Sequence, residues 1–355
     1  MNAPHQPEAC FRLHTTRLGF AAICLSLTAF AVGCSGRGSS STTTTPTTPT
    51  TPTTNQYATA FKSVSWGTSV TVTYPSSCEM TITTTGKPDY TPNAYYLAPA
   101  TGTQTVVAHT SQTNTALAVV SYASVIAPAL QGSSATLNIC PTMATSSTAT
   151  SGGAIGYLIS GTALFNPFEM NGTTPAVADN ASYTFTDGAG TSQTAYFLDQ
   201  CDSHSSGTTW HAHGNPNCVT SQVDTATGPS HIIGIALDGF PIYGGRDVNG
   251  ALVTVSQLDA CNGINSATPE FPSGAYHYVL PLNVTTKYAS LNCLSGTVSA
   301  MTIANARKLA CNMKMMFVMI ESKQQETGKD KPKEATPKDA TMVMPDGSVM
   351  RAASM

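Results

Sequence analysis

The chain has 355 residues, 41% of them hydrophobic and only 10% charged, with 16 Lys and Arg against 19 Asp and Glu and a formal net charge of −3. That charged fraction lies well below the roughly 25% of ordinary soluble domains, and a Thr-rich, charge-poor chain suits exposed sheets. Residues 57–320 hold seven Lys/Arg and twelve Asp/Glu, so the basic patch that a nucleic-acid partner requires is missing.

Residues 1–34 read as a signal peptide. Arg12 and Arg17 precede an apolar run from Leu18 to Val32, which ends at Gly33-Cys34. The run is too short to span a bilayer comfortably and gives way at once to Ser, Gly and Thr, which favours export over a transmembrane helix. Cys34, behind Ala31-Val32-Gly33, stands where a lipoprotein signal places its acylated cysteine, although Ala occupies the position where Leu is usual. The expectation is a lipid anchor at Cys34, an extracytoplasmic protein of the bacterial cell envelope and the membrane as a partner. An ordinary signal peptide cut near the same place is the alternative.

Residues 35–56 form a Ser/Thr/Pro linker, with Pro46, Pro49 and Pro52 stiffening it toward an extended form. Residues 57–320 are expected to be a single large, mainly β domain, disulfide-stabilised, with long loops and short helices only. Strands are expected at Ser69 to Tyr74, Met80 to Thr84, Gln104 to Ala108, Ala116 to Tyr122, Ala135 to Cys140, Ala154 to Ser160 and Ser182 to Phe185, each bounded by Gly, Pro, Asn or Ser. Only Ser299 to Ala310 has a helical composition, with a strand to follow at Met315 to Ile320. Residues 321–355 read as a disordered charged tail, dense in Lys, Glu, Asp and Pro from Glu321 to Asp339.

Seven cysteines follow Cys34, and an exported chain meets an oxidising compartment, so disulfides are the first reading. Six cysteines allow fifteen pairings, and sequence alone does not choose among them. The pairing taken as the expectation joins Cys78 to Cys140, Cys201 to Cys218 and Cys261 to Cys293, leaving Cys311 free.

An internal echo stands out. Leu198-Asp199-Gln200-Cys201 recurs as Leu258-Asp259-Ala260-Cys261, and each copy leads through a Gly-containing loop to an aromatic-His pair, Trp210-His211 and Tyr276-His277. Between the copies, Ser230-His231 opens an apolar run, Ile232 to Leu237, which breaks at Asp238-Gly239-Phe240-Pro241 as a buried strand entering a tight turn. These parts together resemble the YHYH domain family: the Cys201 to His213 loop, the His231 to Gly244 segment, the Leu258 to Tyr278 loop and, upstream, a Gly-rich strand pair from Gly153 to Phe165, with a motif core over 196–282. The chain departs from the family pattern where Trp210-His211-Ala212-His213 and Tyr276-His277-Tyr278-Val279 replace full Tyr-His-Tyr-His, and where Ile264 follows Gly263. The second motif is degenerate, and the resemblance brings no settled activity.

Alternate residues of a strand share a face, so His211 and His213 present two imidazoles side by side. Joined by His277 or His204 from the companion loop, they suit zinc or copper, while buried hydrogen bonding around a disulfide is the competing role. His231 is a further candidate ligand. Asp199 and Asp259 are candidates to orient imidazoles or to cap their loops, and Asp238 to form its turn or to support the site. Both Leu-Asp-x-Cys loops are expected to converge, bringing His211, His213 and His277 together beside Asp238 with nitrogens roughly 3 to 4 Å apart. Met313-Lys314-Met315-Met316 adds a weak hint of Cu(I) but reads first as an ordinary apolar strand, and His109 is assigned nothing.

Three classes of function follow: a metal-binding envelope lipoprotein without turnover, a metal-dependent hydrolase or oxidase, and a surface module for a glycan or an envelope protein. Nucleophile-elbow, phosphate-loop and His-Glu-x-x-His signatures are absent from the sequence, which lowers the enzyme reading.

Overall fold

The computed structural model describes residues 54–99, 106–107, 117–150, 152–169, 172–298, 341–343 and 349–351. In chain order its elements are helix α1 (Thr54–Ser63), then strands β1 (Val70–Ser76), β2 (Glu79–Thr84), β3 (Tyr95–Pro99), β4 (Val106–Val107) and β5 (Leu117–Ser121). Helix α2 (Ala127–Ala129) precedes β6 (Ser133–Asn138), β7 (Met143–Ala149), β8 (Ala154–Leu158), β9 (Ala163–Phe165), β10 (Ser182–Thr186), β11 (Ser192–Tyr196), β12 (Ser203–Ser206) and β13 (Thr209–Ala212). Helix α3 (Asn217–Thr220) leads to β14 (Ile232–Ala236), β15 (Pro241–Tyr243), β16 (Gly263–Ser266), β17 (Ala275–Val279) and β18 (Cys293–Gly296), and β19 (Thr341–Val343) pairs with β20 (Val349–Arg351). The fold is mainly β with short helices, as composition implies. The expected strands within the described residues all appear, shifted by a residue or two at their ends.

The leader, Cys34, His109, the 299–310 helix, the 315–320 strand, Cys311 and the methionine run lie outside the described residues, as does most of the 321–355 tail. Helix α1 was not legible as a helix and takes in Thr54 to Gln56 of the segment read as linker. Its reason to fold is tertiary: Tyr57, Ala58, Ala60 and Phe61 are buried while Gln56, Thr59 and Lys62 face out, a stripe that only a core makes worthwhile in so short a helix. Tyr57 anchors it, donating to the Tyr276 carbonyl at 3.1 Å and packing against Phe240 and Phe271.

An eight-stranded sheet, ordered β12-β13-β9-β8-β14-β15-β17-β16, carries the motif residues. It is built from two copies of one unit. The hairpin β8–β9 pairs Gly156 with Leu164 and Tyr157 with Ala163, and β14–β15 pairs Gly234 with Ile242 and Ile235 with Pro241, each with the same register shift. The hairpin β12–β13 likewise matches β16–β17, His204↔His211 corresponding to Ile264↔His277. Within each copy the second hairpin joins the first through a parallel pair, β13 on β9 and β17 on β15. The copies meet through the antiparallel pair β8–β14, with Tyr157 opposite Ile235 at the pseudo-twofold axis. Glycine is required beside that axis, since a Cβ on Gly156 would lie 2.7 Å from the Ile235 carbonyl and one on Gly234 2.5 Å from that of Tyr157.

The main core covers one face of this sheet, where α1, Met80 and Ile82 of β2 and Leu137 and Ile139 near β6 pack on Ile155, Ile235, Ile242 and Tyr278. Every residue of β14 is buried, as its unbroken apolar run implies. The three disulfides are Cys78–Cys140, Cys201–Cys218 and Cys261–Cys293, the expected pairing. Among the described residues no helix is long and apolar enough to cross a membrane.

Candidate metal centre

His204 and His211 are cross-strand neighbours on the β12–β13 hairpin, placed there by its two-residue turn at Gly207-Thr208. His213 follows two residues after His211 and so returns to the same face. The three side chains converge: one nitrogen from each lies within 4.8 Å of the others, and the His211 and His213 Nε2 atoms are 3.0 Å apart. The His211 and His213 side chains sit on residues only 1% and 4% exposed.

The opposite edge of these two rings is tied to backbone. His211 Nδ1 lies 3.2 Å from the Thr209 carbonyl and His213 Nδ1 2.7 Å from that of Asn166. A carbonyl accepts only, so each Nδ1 carries the proton and each Nε2 presents a lone pair inward. His204 is hydrogen-bonded to the Phe197 backbone. Aromatic rings close the surroundings: Phe165 stacks on His211 with centroids 3.8 Å apart, and Phe197 meets His204 edge-on at 5.0 Å. Burial pushes all three imidazoles below their ordinary range, His204 and His211 well below it and His213 to about 4, and mutual repulsion adds to the fall for His204 and His211. They are therefore neutral near pH 7. Two lone pairs aimed at each other across 3.0 Å repel, and a cation between them turns that repulsion into coordination; the triad can hold a metal ion.

His277 does not join it. The expected convergence of the two loops fails because the copies associate through their inner, apolar, glycine-bearing strands, which sends the two histidine hairpins toward opposite edges of the sheet. Five strand spacings separate β13 from β17, about 24 Å along the sheet. His277 bonds through Nδ1 to the Ala275 carbonyl at 2.9 Å and packs on Tyr243, the counterpart of Phe165. Ile264 and Val279 occupy the places of His204 and His213, so the second copy has the architecture of the site with only one of its three donors.

The carboxylates expected to orient imidazoles do other work. Asp199 Oδ1 accepts from the Cys201 and Ser203 amides at 2.8 and 3.0 Å and its Oδ2 from the Tyr96 hydroxyl; Asp259 repeats this with Cys261, Gly263 and Tyr276. Both cap their disulfide loops. Asp238 is buried in the β14–β15 turn of the second copy, where Oδ2 accepts from the Tyr278 hydroxyl at 2.6 Å and the Gly296 amide at 2.8 Å. His231 pairs with Asp224 at 3.2 Å, with its side chain 40% exposed and outside the triad. The groups that orient the ligands are instead the carbonyls of Asn166 and Thr209, which no side-chain pattern announces. The choice of His204 over His277 was open to a local reading, because His204 and His211 stand symmetrically about Gly207-Thr208, a two-residue hairpin turn.

Residues 134–254 of the chain match the model of the YHYH protein family. The matched segment contains the whole triad and the first of the two copies, and it ends before the second Leu-Asp-x-Cys loop. No curated protein matches the chain, and no solved structure does.

Proposed function

We propose, from the premise that residues 134–254 belong to the YHYH protein family, that this protein is an exported, lipid-anchored envelope protein that binds one copper or zinc ion through His204, His211 and His213. The observation that carries this reading is the pair of inward lone pairs on His211 and His213, held 3.0 Å apart by backbone acceptors on their far sides, with His204 within ligand reach. Metal-bound histidines commonly have their second nitrogen fixed in this way. The role is one of holding a metal rather than turning over a substrate, since among the described residues no carboxylate stands within the donor cluster to serve as a general base.

Elemental analysis of protein expressed in an oxidising compartment tests it. The wild-type chain is expected to carry about one ion, the His211→Ala/His213→Ala variant none, and the His277→Ala variant the wild-type amount. Equal metal in wild type and double variant, both folded by circular dichroism, would return the triad to a structural role.

Anchoring rests on Cys34 behind its apolar leader. The Cys34→Ser protein is expected in the soluble fraction after cell breakage, whereas the wild-type protein sediments with membranes. A membrane-bound Cys34→Ser protein would remove the anchor from the reading.

A further inference from the structure

We propose that the ion held by the His204, His211 and His213 triad is copper(I) rather than a divalent metal. This rests on the reading of the triad as a metal site and deepens it. Four observations on the donor set lead there.

The ligands carry no charge. The donor group consists of three imidazoles, with no carboxylate among them, and all six cysteines among the described residues are joined in disulfides, so no thiolate is at hand. The surroundings are apolar: Phe165 lies flat on His211 at 3.8 Å and edge-on to His213 at 6.0 Å, and Phe197 closes on His204. The electrostatic cost of removing an ion from water grows as the square of its charge, so neutral ligands inside aromatic walls favour a single positive charge over two.

A three-donor set suits copper(I) without a further ligand. Zinc in proteins closes a tetrahedron with a fourth protein ligand or keeps a water, and copper(II) prefers a tetragonal set of donors. The backbone oxygens of Thr209 and Asn166 are engaged by the Nδ1 atoms of His211 and His213, on the opposite side of each ring from its Nε2. Copper(I), with a filled d shell, is stable with two or three donors, and imidazole is a ligand that copper accepts. Asp199, an acidic side chain of the same loop, spends its oxygens on the Cys201 and Ser203 amides and the Tyr96 hydroxyl, so it does not complete a divalent shell.

The experiment uses the full chain, stripped of metal and kept anaerobic. Copper(I) is titrated against a chromophoric copper(I) chelator, alone and in the presence of a large excess of zinc(II), with zinc(II) and copper(II) titrated separately. One copper(I) per chain is expected, undiminished by zinc, with a copper K-edge spectrum of two or three nitrogen donors and no sulfur. The His277→Ala chain is expected to match wild type, and His211→Gln to lose the site. Stoichiometric zinc(II) or copper(II) binding that copper(I) fails to displace overturns this inference and leaves the metal reading standing. Failure of every ion to bind the folded wild-type chain overturns both. Because the competition is read on the wild-type protein, the result does not depend on whether any variant folds.

Discussion

Metal-free wild-type protein is expected to lose about 3 kcal/mol of stability relative to a His277→Gln variant as the pH falls from 7 to 4. His277 is 4% exposed, and burial lowers its imidazole from an ordinary 6.5 to about 4, with the hydrogen bond to the Ala275 carbonyl opposing the fall. Between those two values the unfolded chain takes up a proton that the folded chain refuses. Stability from this group is therefore complete above 6.5 and is lost as the pH drops toward 4, by about 1.4 kcal/mol for each unit of separation. The comparison with a variant is essential, because buried carboxyls act with the opposite sign. Burial raises Glu169 to about 8, Asp202 to about 7 and Asp199 to about 6, so the folded chain binds their protons first and gains stability as the pH falls through those values. Urea denaturation of both proteins at several pH values isolates the histidine contribution. A difference that does not change with pH would mean that His277 is charged or hydrated in the folded state. His277 is the informative choice, since it repeats the setting of His211 in a copy that has lost the other two ligands.

The strands were legible because alternation and β-branched runs depend on neighbours a few residues apart, as at Thr71-Val72-Thr73 or Met80 to Thr84. The order of the strands was not, because it depends on which copy of a repeat meets which. The Leu-Asp-x-Cys echo is visible in sequence, but the repeat is longer than the echo. Its first hairpins are offset from Gly156 to Gly234 and its second from His204 to Ile264, two different spacings that hide a single register. Joining the two histidine loops into one site assumed that repeated loops face each other. The sheet instead joins the repeats by the strands with the most apolar surface and the least side chain, β8 and β14, and this choice alone removes His277 from the triad. Helix α1 escaped for a related reason: a short helix has little intrinsic stability, and the surface that makes Tyr57 and Phe61 worth burying is contributed by residues far along the chain.

The Trp210→Ala protein is expected to be destabilised by roughly 3 to 5 kcal/mol, the cost of a large aromatic removed from a filled core. Trp210 is 1% exposed and stands between His211 and the β12–β13 turn, with its ring directed into a satellite core with Tyr96, Ala98, Val120, Ile126 and Leu130. Tyr96 and Tyr122 meet it edge-on at 5.2 and 5.3 Å, and its Nε1 donates to the Tyr90 hydroxyl at 2.9 Å. Trp210→Phe keeps most of the ring contacts and gives up that hydrogen bond, so its expected cost is smaller, about 1 to 2 kcal/mol. The two variants separate packing from hydrogen bonding at a position whose neighbours along the strand are metal ligands. Their effect on the triad should be slight where they remain folded. The backbone of β13 is fixed on one side by β12 and on the other by β9, and Cys201–Cys218 closes the segment that contains all three histidines. Chemical denaturation gives the stabilities, and metal content measured at low temperature gives the integrity of the site. A Trp210→Ala cost below about 1 kcal/mol would show that the aromatic group is not a core at all. A folded Trp210→Ala chain without metal would show that the triad is positioned by packing behind the strand and not by the ladder that pairs His204 with His211.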